Sequence, residues 1–307
     1  MPRRPIVLLF ALALIWGSSF MFIKVADRSL APSTLIMGRL GLAALALALL
    51  VPRVVGRRET LAALRAAWRP LVAVGLVNTA VPFWLLSWGE TKIDSGLASI
   101  IQASVPIFNA LIAFGFFHEQ RVGGRRLAGV AIGFVGVALL VGAQPEAKVL
   151  GAIAVVGMAL CYGTGGLLAR HYLVGTQPYV VALGTTAVAA VVALPAGIVQ
   201  APHHAPAANA VASVAVLGVV CTALAYLLNY TLIAEAGAAY SALVTYLIPP
   251  IALLYGAVFL GEGVGAAALG GLVLILGGVA LGTGASLAVW SRFAGRRLTT
   301  PTGSSSS

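Results

Sequence analysis

The sequence predicts an all-α membrane protein with ten transmembrane helices, arranged as two inverted five-helix repeats. Of its 307 residues, 60% are hydrophobic and 9% are charged, whereas a soluble domain carries about a quarter charged residues. The mean hydropathy is +1.02. A chain of this composition cannot cover its apolar surface in water, and apolar runs of about twenty residues are long enough to cross a bilayer.

The repeat is visible as a self-similarity of long period. Residues 96–119 (GLASIIQASVPIFNALIAFGFFHE) resemble residues 239–262 (AYSALVTYLIPPIALLYGAVFLGE) at a shift of 143 positions, which places Pro106 on Pro249. Two apolar blocks related in this way indicate a duplicated membrane protein. Because five helices per half is an odd number, the halves enter the membrane in opposite orientations, as in many alternating-access transporters.

Ten apolar spans follow one another along the chain, each close to the length that crosses a bilayer. They are predicted at 5–24, 32–51, 69–88, 95–117, 125–142, 149–169, 177–199, 208–231, 238–259 and 265–290. The first resembles a signal peptide because two arginines precede it. However, Trp16 has a counterpart in Tyr162 at a shift of 146, so we predict that this span belongs to the mature protein.

The distribution of basic residues predicts that both termini are cytoplasmic. With this orientation, 14 Lys and Arg residues fall on the inner side and 4 on the outer side, which is the bias that cytoplasmic loops show. The net charge of +11 therefore reflects topology, and no nucleic-acid partner is predicted. The first repeat covers 1–145, the second covers 146–291, and 292–307 form a polar cytoplasmic tail.

Several segments resemble the EamA-type drug/metabolite transporters. They are WGSSFMFIK at 16–24, Arg39 in the second span, the block 106–119 with its copy at 249–262, and the glycine-rich stretches that begin at Leu127 and Leu269. The resemblance covers residues 5–290 and rests on the order, spacing and duplication of these segments. It implies a ten-helix exporter in the bacterial inner membrane, and the best described members of the family export amino acids, including aromatic ones.

Candidate substrate-binding residues are polar or aromatic side chains near the centres of the spans. Trp16 and Tyr162 are repeat counterparts that can stack on an apolar or aromatic substrate, or can simply pack helices together. Buried amides need hydrogen-bond partners, which an amino acid provides, although interhelical hydrogen bonds are an alternative. The predicted substrate-binding residues are Trp16, Asn78, Gln102, Tyr162, Tyr226 and Tyr246.

Arg39 is the charged residue that lies well inside a predicted span. Charges at such depth commonly mark functional sites, so Arg39 is a candidate contact for a substrate carboxylate. Snorkelling to the interface, or pairing with a helix-end carbonyl, is the alternative. Pro106 and Pro249 each remove a helical hydrogen bond and are candidate hinge or cavity residues, or the sites of static bends.

The eight acidic residues fall in loops or at span ends. Because no carboxylate is predicted at mid-membrane to relay protons, the sequence favours facilitated transport, or coupling through a group that the sequence does not reveal. The two cysteines and four histidines show no convincing metal-ligand spacing, and no nucleotide-binding loop or hydrolase motif is present. We therefore predict no enzyme activity, no catalytic residues, no metal and no cofactor.

The predicted function is export of amino acids, possibly aromatic ones, or of similar small metabolites by alternating access. One alternative is export of drugs, nucleosides or other amphipathic metabolites. Another is a non-transporting intramembrane enzyme or scaffold, although the sequence lacks a set of reactive groups at matching depth. The predicted partners are a small-molecule substrate and the lipid bilayer. Glycine-rich fifth and tenth spans predict close helix packing, either within the bundle or in a homodimer.

Overall fold

The computed structural model describes residues 3–117 and 124–283, and the regular structure within these ranges is helical. The α-helices are α1 Arg3–Ala26, α2 Pro32–Val55, α3 Arg57–Ala66, α4 Trp68–Gly75, α5 Val81–Glu90, α6 Ser95–Gln102, α7 Val105–Phe117, α8 Gly124–Gly142, α9 Glu146–Tyr172, α10 Pro178–Val199, α11 Ala208–Gly218, α12 Ala225–Ala236, α13 Ala238–Ser241, α14 Val244–Tyr255 and α15 Ala266–Thr283. Three π-helical segments continue them at Leu76–Ala80, Val219–Leu224 and Gly256–Leu260.

Seven helices in the described part of the chain are long and apolar enough to cross a membrane. They are Arg4–Ala26, Pro32–Val55, Trp68–Glu90, Ser95–Ala113, Lys148–Tyr172, Pro178–Val199 and Ala208–Ala236. Three shorter apolar helices, Leu127–Gly142, Val244–Leu260 and Ala266–Leu281, fall at the remaining predicted spans. These helices make the chain a multi-pass membrane protein, because their combined apolar surface needs a bilayer.

Helices from one half of the chain pack on helices from the other half. The first helix, α1, packs on α14, and its repeat counterpart α9 packs on α7. The pairs α2 with α10 and α8 with α15 also join the two halves. The core between the halves is therefore built by both repeats, and a cavity formed there is lined from both.

Glycines at equivalent positions bring these helices close together. A Cβ on Gly75 would lie 3.0 Å from the carbonyl oxygen of Thr185, and a Cβ on Gly218 would lie 2.8 Å from the carbonyl oxygen of Arg39. Gly75 and Gly218 are 143 positions apart, and Arg39 and Thr185 are 146 apart. The two contacts are thus the same contact made twice, and small residues permit the close approach of the backbones.

The glycine-rich helices α8 and α15 use their small residues against each other. A Cβ on Gly136 would lie 2.9 Å from Cβ of Leu274, and a Cβ on Gly278 would lie 2.6 Å from the backbone nitrogen of Gly133. These glycines therefore serve packing within the chain. A homodimer through the same helices stays a prediction.

The third span of each repeat contains a π-helical segment at the same repeat position. Leu76–Ala80 joins α4 to α5, and Val219–Leu224 joins α11 to α12. The wider turn is visible in the first repeat, where the backbone N–H of Val81 donates to the carbonyl oxygen of Leu76, five residues earlier. Single π-helical turns frequently lie at functional sites, because they redirect the side chains around them.

The two candidate hinge prolines differ in their helical context. Ala103 and Ser104 form a turn between α6 and α7, and Pro106 is the second residue of α7. Proline in the first turn of a helix removes no helical hydrogen bond. Pro249 lies inside α14, where it does remove one. The fourth span therefore changes direction between two helices, whereas the ninth carries its proline within a helix.

Candidate substrate-binding cavity

A cavity of about 280 Å³ lies between the two halves of the chain. Its walls come from α1, α2, α5, α6, α7, α9, α12 and α14, together with both π-helical segments of the third spans. The lining residues are Trp16, Ser19, Phe20, Arg39, Asn78, Phe83, Leu86, Gln102, Val105, Pro106, Tyr162, Cys221, Tyr226, Val244, Thr245 and Ile248. The cavity thus combines aromatic, amide and hydroxyl groups with one positively charged group, the guanidinium of Arg39.

Most of the residues singled out in the sequence lie at this cavity. Those that line it are Trp16, Arg39, Asn78, Gln102, Pro106, Tyr162 and Tyr226. Tyr246 and Pro249 are not among the lining residues, whereas Thr245, the repeat counterpart of Gln102, is. The ninth span therefore contributes the residue next to the predicted tyrosine.

Arg39 brings a positive charge into the cavity. Its side chain is 5% exposed, its Nε donates to Oγ1 of Thr222 at 3.1 Å, and its Cζ lies 4.3 Å from the centroid of the Phe83 ring. Within residues 3–117 and 124–283, no acidic side chain forms an ion pair with it. Since Nε is one of five N–H donors, the terminal guanidinium nitrogens can bind a carboxylate in the bidentate manner typical of arginine.

Aromatic rings form an apolar wall beside Arg39. The Phe83 and Tyr162 rings meet edge to face, with their centroids 6.5 Å apart. Trp16 and Tyr226 also line the cavity. Ring faces of this kind bind apolar and aromatic side chains well.

Sequence reasoning missed several residues of the site. Thr222, whose hydroxyl accepts the hydrogen bond from Arg39, is not among the predicted site residues. Cys221 and Phe83 also line the cavity, and each is the repeat counterpart, at a shift of 143, of a residue that was predicted: Asn78 and Tyr226, respectively. Projecting every candidate onto the other repeat would therefore have found them.

A second polar feature lies beyond the cavity at the end of α5. Glu90, the last residue of the span Trp68–Glu90, is 0% exposed, and neither carboxyl oxygen has a hydrogen-bond partner. Its position at a span end agrees with the sequence analysis. Its surroundings, however, are not those of a solvated loop residue. No cluster of metal-ligating side chains is found in the part of the chain that the structure describes.

Comparison with known proteins identifies the family. The sequence profile of the EamA-like transporter family matches residues 3–142 and again residues 149–283. The chain belongs to the EamA-like transporter family. The two matches fit the predicted two-repeat architecture and confirm the resemblance. Because this is a transporter family, the chain is a membrane transporter and not an enzyme, as predicted.

Relatives of this EamA-like transporter span almost its whole length. A protein of Streptantibioticus cattleyicolor named "Probable terminal-alkyne amino-acid exporter" is 32% identical over 273 residues, covering 87% of this chain and 89% of the relative. An "Uncharacterized transporter" of Archaeoglobus fulgidus is 27% identical, covering 86% and 93%. A solved crystal structure that is 20% identical gives a TM-score of 0.64, covering 90% of this chain and 96% of that chain, which shows a shared fold.

Proposed function

We propose that this EamA-like transporter exports amino acids, including aromatic ones, or similar small carboxylate-bearing metabolites across the bacterial inner membrane by alternating access. The observation that carries the proposal is Arg39. A buried guanidinium at the cavity without an acidic partner among the described residues is an anion-binding group, because an unpaired buried charge is strongly unfavourable. A substrate carboxylate would neutralise it.

The rest of the cavity supports an amino acid. The side-chain oxygens of Asn78 and Gln102 can accept hydrogen bonds from an ammonium group, and Trp16 and Tyr162 provide ring surface for an apolar or aromatic side chain. A volume of about 280 Å³ lies just below the range of about 300–1,000 Å³ that is typical of ligand pockets. This size fits a solute as small as an amino acid.

The name of the Streptantibioticus cattleyicolor relative also favours amino-acid export, since that protein matches 87% of this chain. Tyr246 and Pro249 remain predicted as a substrate contact and a hinge. Neither lines the cavity in this conformation, so a role would require another state of the transport cycle.

The proposed topology has ten helices in two inverted repeats, 1–145 and 146–291, with both termini and the tail 292–307 in the cytoplasm. The excess of basic residues on the inner side, 14 against 4, supports this orientation. A homodimer is compatible with it, because α8 and α15 carry exposed apolar side chains, such as Val135 and Val273, on faces that do not pack within the chain.

The test is counterflow of labelled solutes into liposomes that contain the purified protein. Each amino acid is paired with its decarboxylated amine, for example phenylalanine with phenethylamine. We expect exchange of the amino acid and not of the amine. In Arg39→Gln, loss of charged hydrogen bonds of about 1.5–3 kcal/mol lowers apparent affinity about 10–150-fold.

Thr185→Val is the matched control, because Thr185 is the repeat counterpart of Arg39 and does not line the cavity. It should exchange the amino acid as the wild type does. Equal exchange by wild type and Arg39→Gln would contradict the assigned role of Arg39. Exchange of the amine, a drug or a nucleoside without exchange of any amino acid would favour the alternative substrate class.

A further inference from the structure

A buried polar cluster that the substrate cavity does not use lies where α1 and α5 end. The carboxyl oxygens of Glu90 have no hydrogen-bond partner, and the residue is 0% exposed. Lys24 on α1 is nearby, yet its Nζ donates to the backbone carbonyl oxygens of Glu90 and Ile93, at 2.5 and 2.7 Å. Asp27, just after α1, accepts a hydrogen bond from the Ser87 hydroxyl at 3.1 Å. The cluster therefore holds two carboxyl groups and one ammonium group.

The charge count of this cluster indicates what it binds. With one ammonium group, the cluster is neutral when one of the two carboxyl groups is protonated. A carboxylate that is shielded from water and accepts no hydrogen bond is unfavourable, whereas a neutral carboxylic acid is tolerated there. In the observed conformation, the group that needs the proton is Glu90.

We propose that Glu90 is a proton-binding site and that substrate export is coupled to the inward movement of the proton bound there. This inference rests on the proposed transport function. It also differs from the facilitated transport that the sequence favours, because that expectation assumed that acids at span ends are solvated. Proton binding converts the Glu90 carboxylate into a carboxylic acid and release reverses it, so that no other bond changes and no electron is transferred.

The geometry links Glu90 to the substrate cavity. Phe83 and Leu86 line the cavity and lie on the same face of α5 as Glu90, at the spacing of successive helical turns. Phe83 in turn packs against Arg39. On ionisation of Glu90, the Lys24 ammonium is drawn from the two carbonyl oxygens towards the carboxylate. This change breaks the hydrogen bonds by which Lys24 joins α1, the helix that carries Trp16, to the turn after α5.

Charged groups from every neighbouring element act on this site. The charged groups nearest to Glu90 on these elements are Lys24, Asp27, Arg39 and Glu262. The other charged groups at this end are Arg28, Lys92, Asp94, Glu146 and Lys148, of which Asp94 and Lys148 pair at 3.6 Å. Glu262 is itself held by the N–H groups of Ser95 and Gly96.

Asp27 is placed to exchange protons between water and the buried site. It is partly exposed and lies outside the membrane-spanning helices. Burial raises the pKa of Asp27 to about 7, against the opposing effects of the Ser87 hydrogen bond and Lys24. The group therefore gains and loses protons near neutral pH.

The cluster is absent from the equivalent place in the second repeat. Asp27 and Glu90 correspond to Leu173 and Ile233 at shifts of 146 and 143. A structural element needed by the duplicated fold would be expected at both places. The two acids therefore occur at one end of the molecule only. A transporter that moves protons in one direction needs such a difference between its two ends.

The first test measures proton binding without transport. Infrared spectra of the purified protein, labelled with carbon-13 in its glutamate carboxyl groups, are recorded across a pH titration. We expect a band from a protonated glutamate that is lost in Glu90→Gln and retained in Glu59→Gln, a matched change at an exposed acid on α3. No such band, or a band that persists in Glu90→Gln, overturns the proposal.

The second test measures coupling in liposomes. For each variant, accumulation driven by a pH gradient is divided by its own counterflow at equal pH, so that general loss of transport is separated from loss of coupling. We expect Glu90→Gln to lose the response to the gradient, and Glu59→Gln to keep it. A response that persists in Glu90→Gln, or a wild type driven by a sodium gradient instead, overturns the proposal.

The two tests distinguish this inference from the proposed function. If the wild type shows no counterflow of any amino acid, the proposed substrate class fails while the infrared titration still decides whether Glu90 binds a proton. If Glu90→Gln does not fold, Glu90→Asp keeps a carboxyl group and should keep coupling. Loss of coupling in a folded Glu90→Asp that retains the protonated band would overturn the coupling step.

Discussion

The two walls of the cavity come from corresponding positions of the two repeats, yet they carry different chemistry. Four repeat pairs line the cavity from both sides: Trp16 and Tyr162, Asn78 and Cys221, Phe83 and Tyr226, and Gln102 and Thr245. The first repeat contributes an indole, a phenyl ring and two amides, whereas the second contributes two phenols, a thiol and a threonine hydroxyl. Duplication thus preserved which positions face the cavity, and later substitutions changed what those positions can bind.

The symmetry is broken most strongly at Arg39. Its counterpart Thr185 donates its hydroxyl to the carbonyl oxygen of Val181 on its own helix, at 2.8 Å, and does not line the cavity. The positive charge therefore lies on one wall only. A cavity with a charge on one side and hydroxyl groups on the other orients a substrate that has one charged end.

The largest expected difference between the repeats is at Trp16 and Tyr162. Trp16→Ala should weaken binding of an aromatic amino acid by about 1.5–3 kcal/mol, the value of burying one large apolar side chain. Tyr162→Ala should weaken it less, because part of the Tyr162 ring already packs against Phe83. Both affinities are measured by counterflow, with alanine as the control substrate. Equal losses for alanine and for the aromatic substrate would contradict a stacking role.

A difference in stability is expected between the paired glycines of α1 and α9. A Cβ on Gly163 would lie 2.9 Å from the backbone nitrogen of Asn109, whereas a Cβ on Gly17 would lie 2.6 Å from a methyl group of Ile251. A side-chain methyl moves more easily than a backbone atom. Each alanine substitution should cost about 1–3 kcal/mol of unfolding free energy, and Gly163→Ala should cost more.

Thermal unfolding of the purified variants measures this difference. Gly41→Ala is the control, since a Cβ at that position meets no atom within 4 Å. If Gly17→Ala proves the more destabilising, the α1 contact with α14 is tighter than its counterpart. This result would contradict the expectation that the contact at Gly163, which is made with backbone, is the more rigid of the two.

The fold was readable from the sequence because its signals are long. The first span was predicted at 5–24 and is observed as Arg3–Ala26, and the repeat at shifts of 143 and 146 indicated which segments correspond. Depth within a span can also be counted along the chain. For this reason Trp16, Asn78 and Gln102, chosen for their depth, all lie at the cavity.

The features that sequence reasoning missed depend on helix rotation and on tertiary surroundings. Successive residues of a helix point about 100° apart, and the turn at Ala242 and Leu243 before α14 resets the phase, so the face with Thr245 could not be told from the face with Tyr246. The π-helical turn that presents Thr222 has no distinctive residue pattern. The burial of Glu90 requires neighbours from other helices, which hydropathy along one span does not reveal.

A smaller effect is expected where the second repeat caps a helix of the first. The carboxylate of Glu262 accepts hydrogen bonds from N–H of Ser95 at 2.9 Å and of Gly96 at 3.1 Å, and from the Ser95 hydroxyl at 2.8 Å. Its repeat counterpart Glu119 lies outside the described residues. Glu262→Gln retains one acceptor and loses the charge that favours a helix N-terminus, so unfolding should become easier by about 1 kcal/mol.

Glu146→Gln is the control for this cap. Glu146 is exposed in the first turn of α9, where a similar charge acts without bridging the repeats. Thermal unfolding should show a larger shift for Glu262→Gln than for Glu146→Gln. Equal shifts would mean that the contact between the repeats adds nothing to the ordinary effect of a negative charge at a helix start.

A further difference between the repeats is expected in how stability depends on pH, at Asp27, whose repeat counterpart is the apolar Leu173. The pKa of Asp27 rises from 3.8 to about 7 in the folded protein, chiefly through burial. The folded state therefore binds the proton more tightly than the unfolded state. The stabilisation is fully present below about pH 4 and is lost as the pH rises to about 7.

In Asp27→Asn this contribution disappears, so the melting temperature should fall less over that range than in the wild type. Glu59→Gln, at an exposed acid, should keep the wild-type slope. If the melting temperature of Asp27→Asn changes with pH as that of the wild type does, the carboxyl group of Asp27 is solvated in the folded protein. The repeats would then differ at this end only in having Glu90 in one and Ile233 in the other.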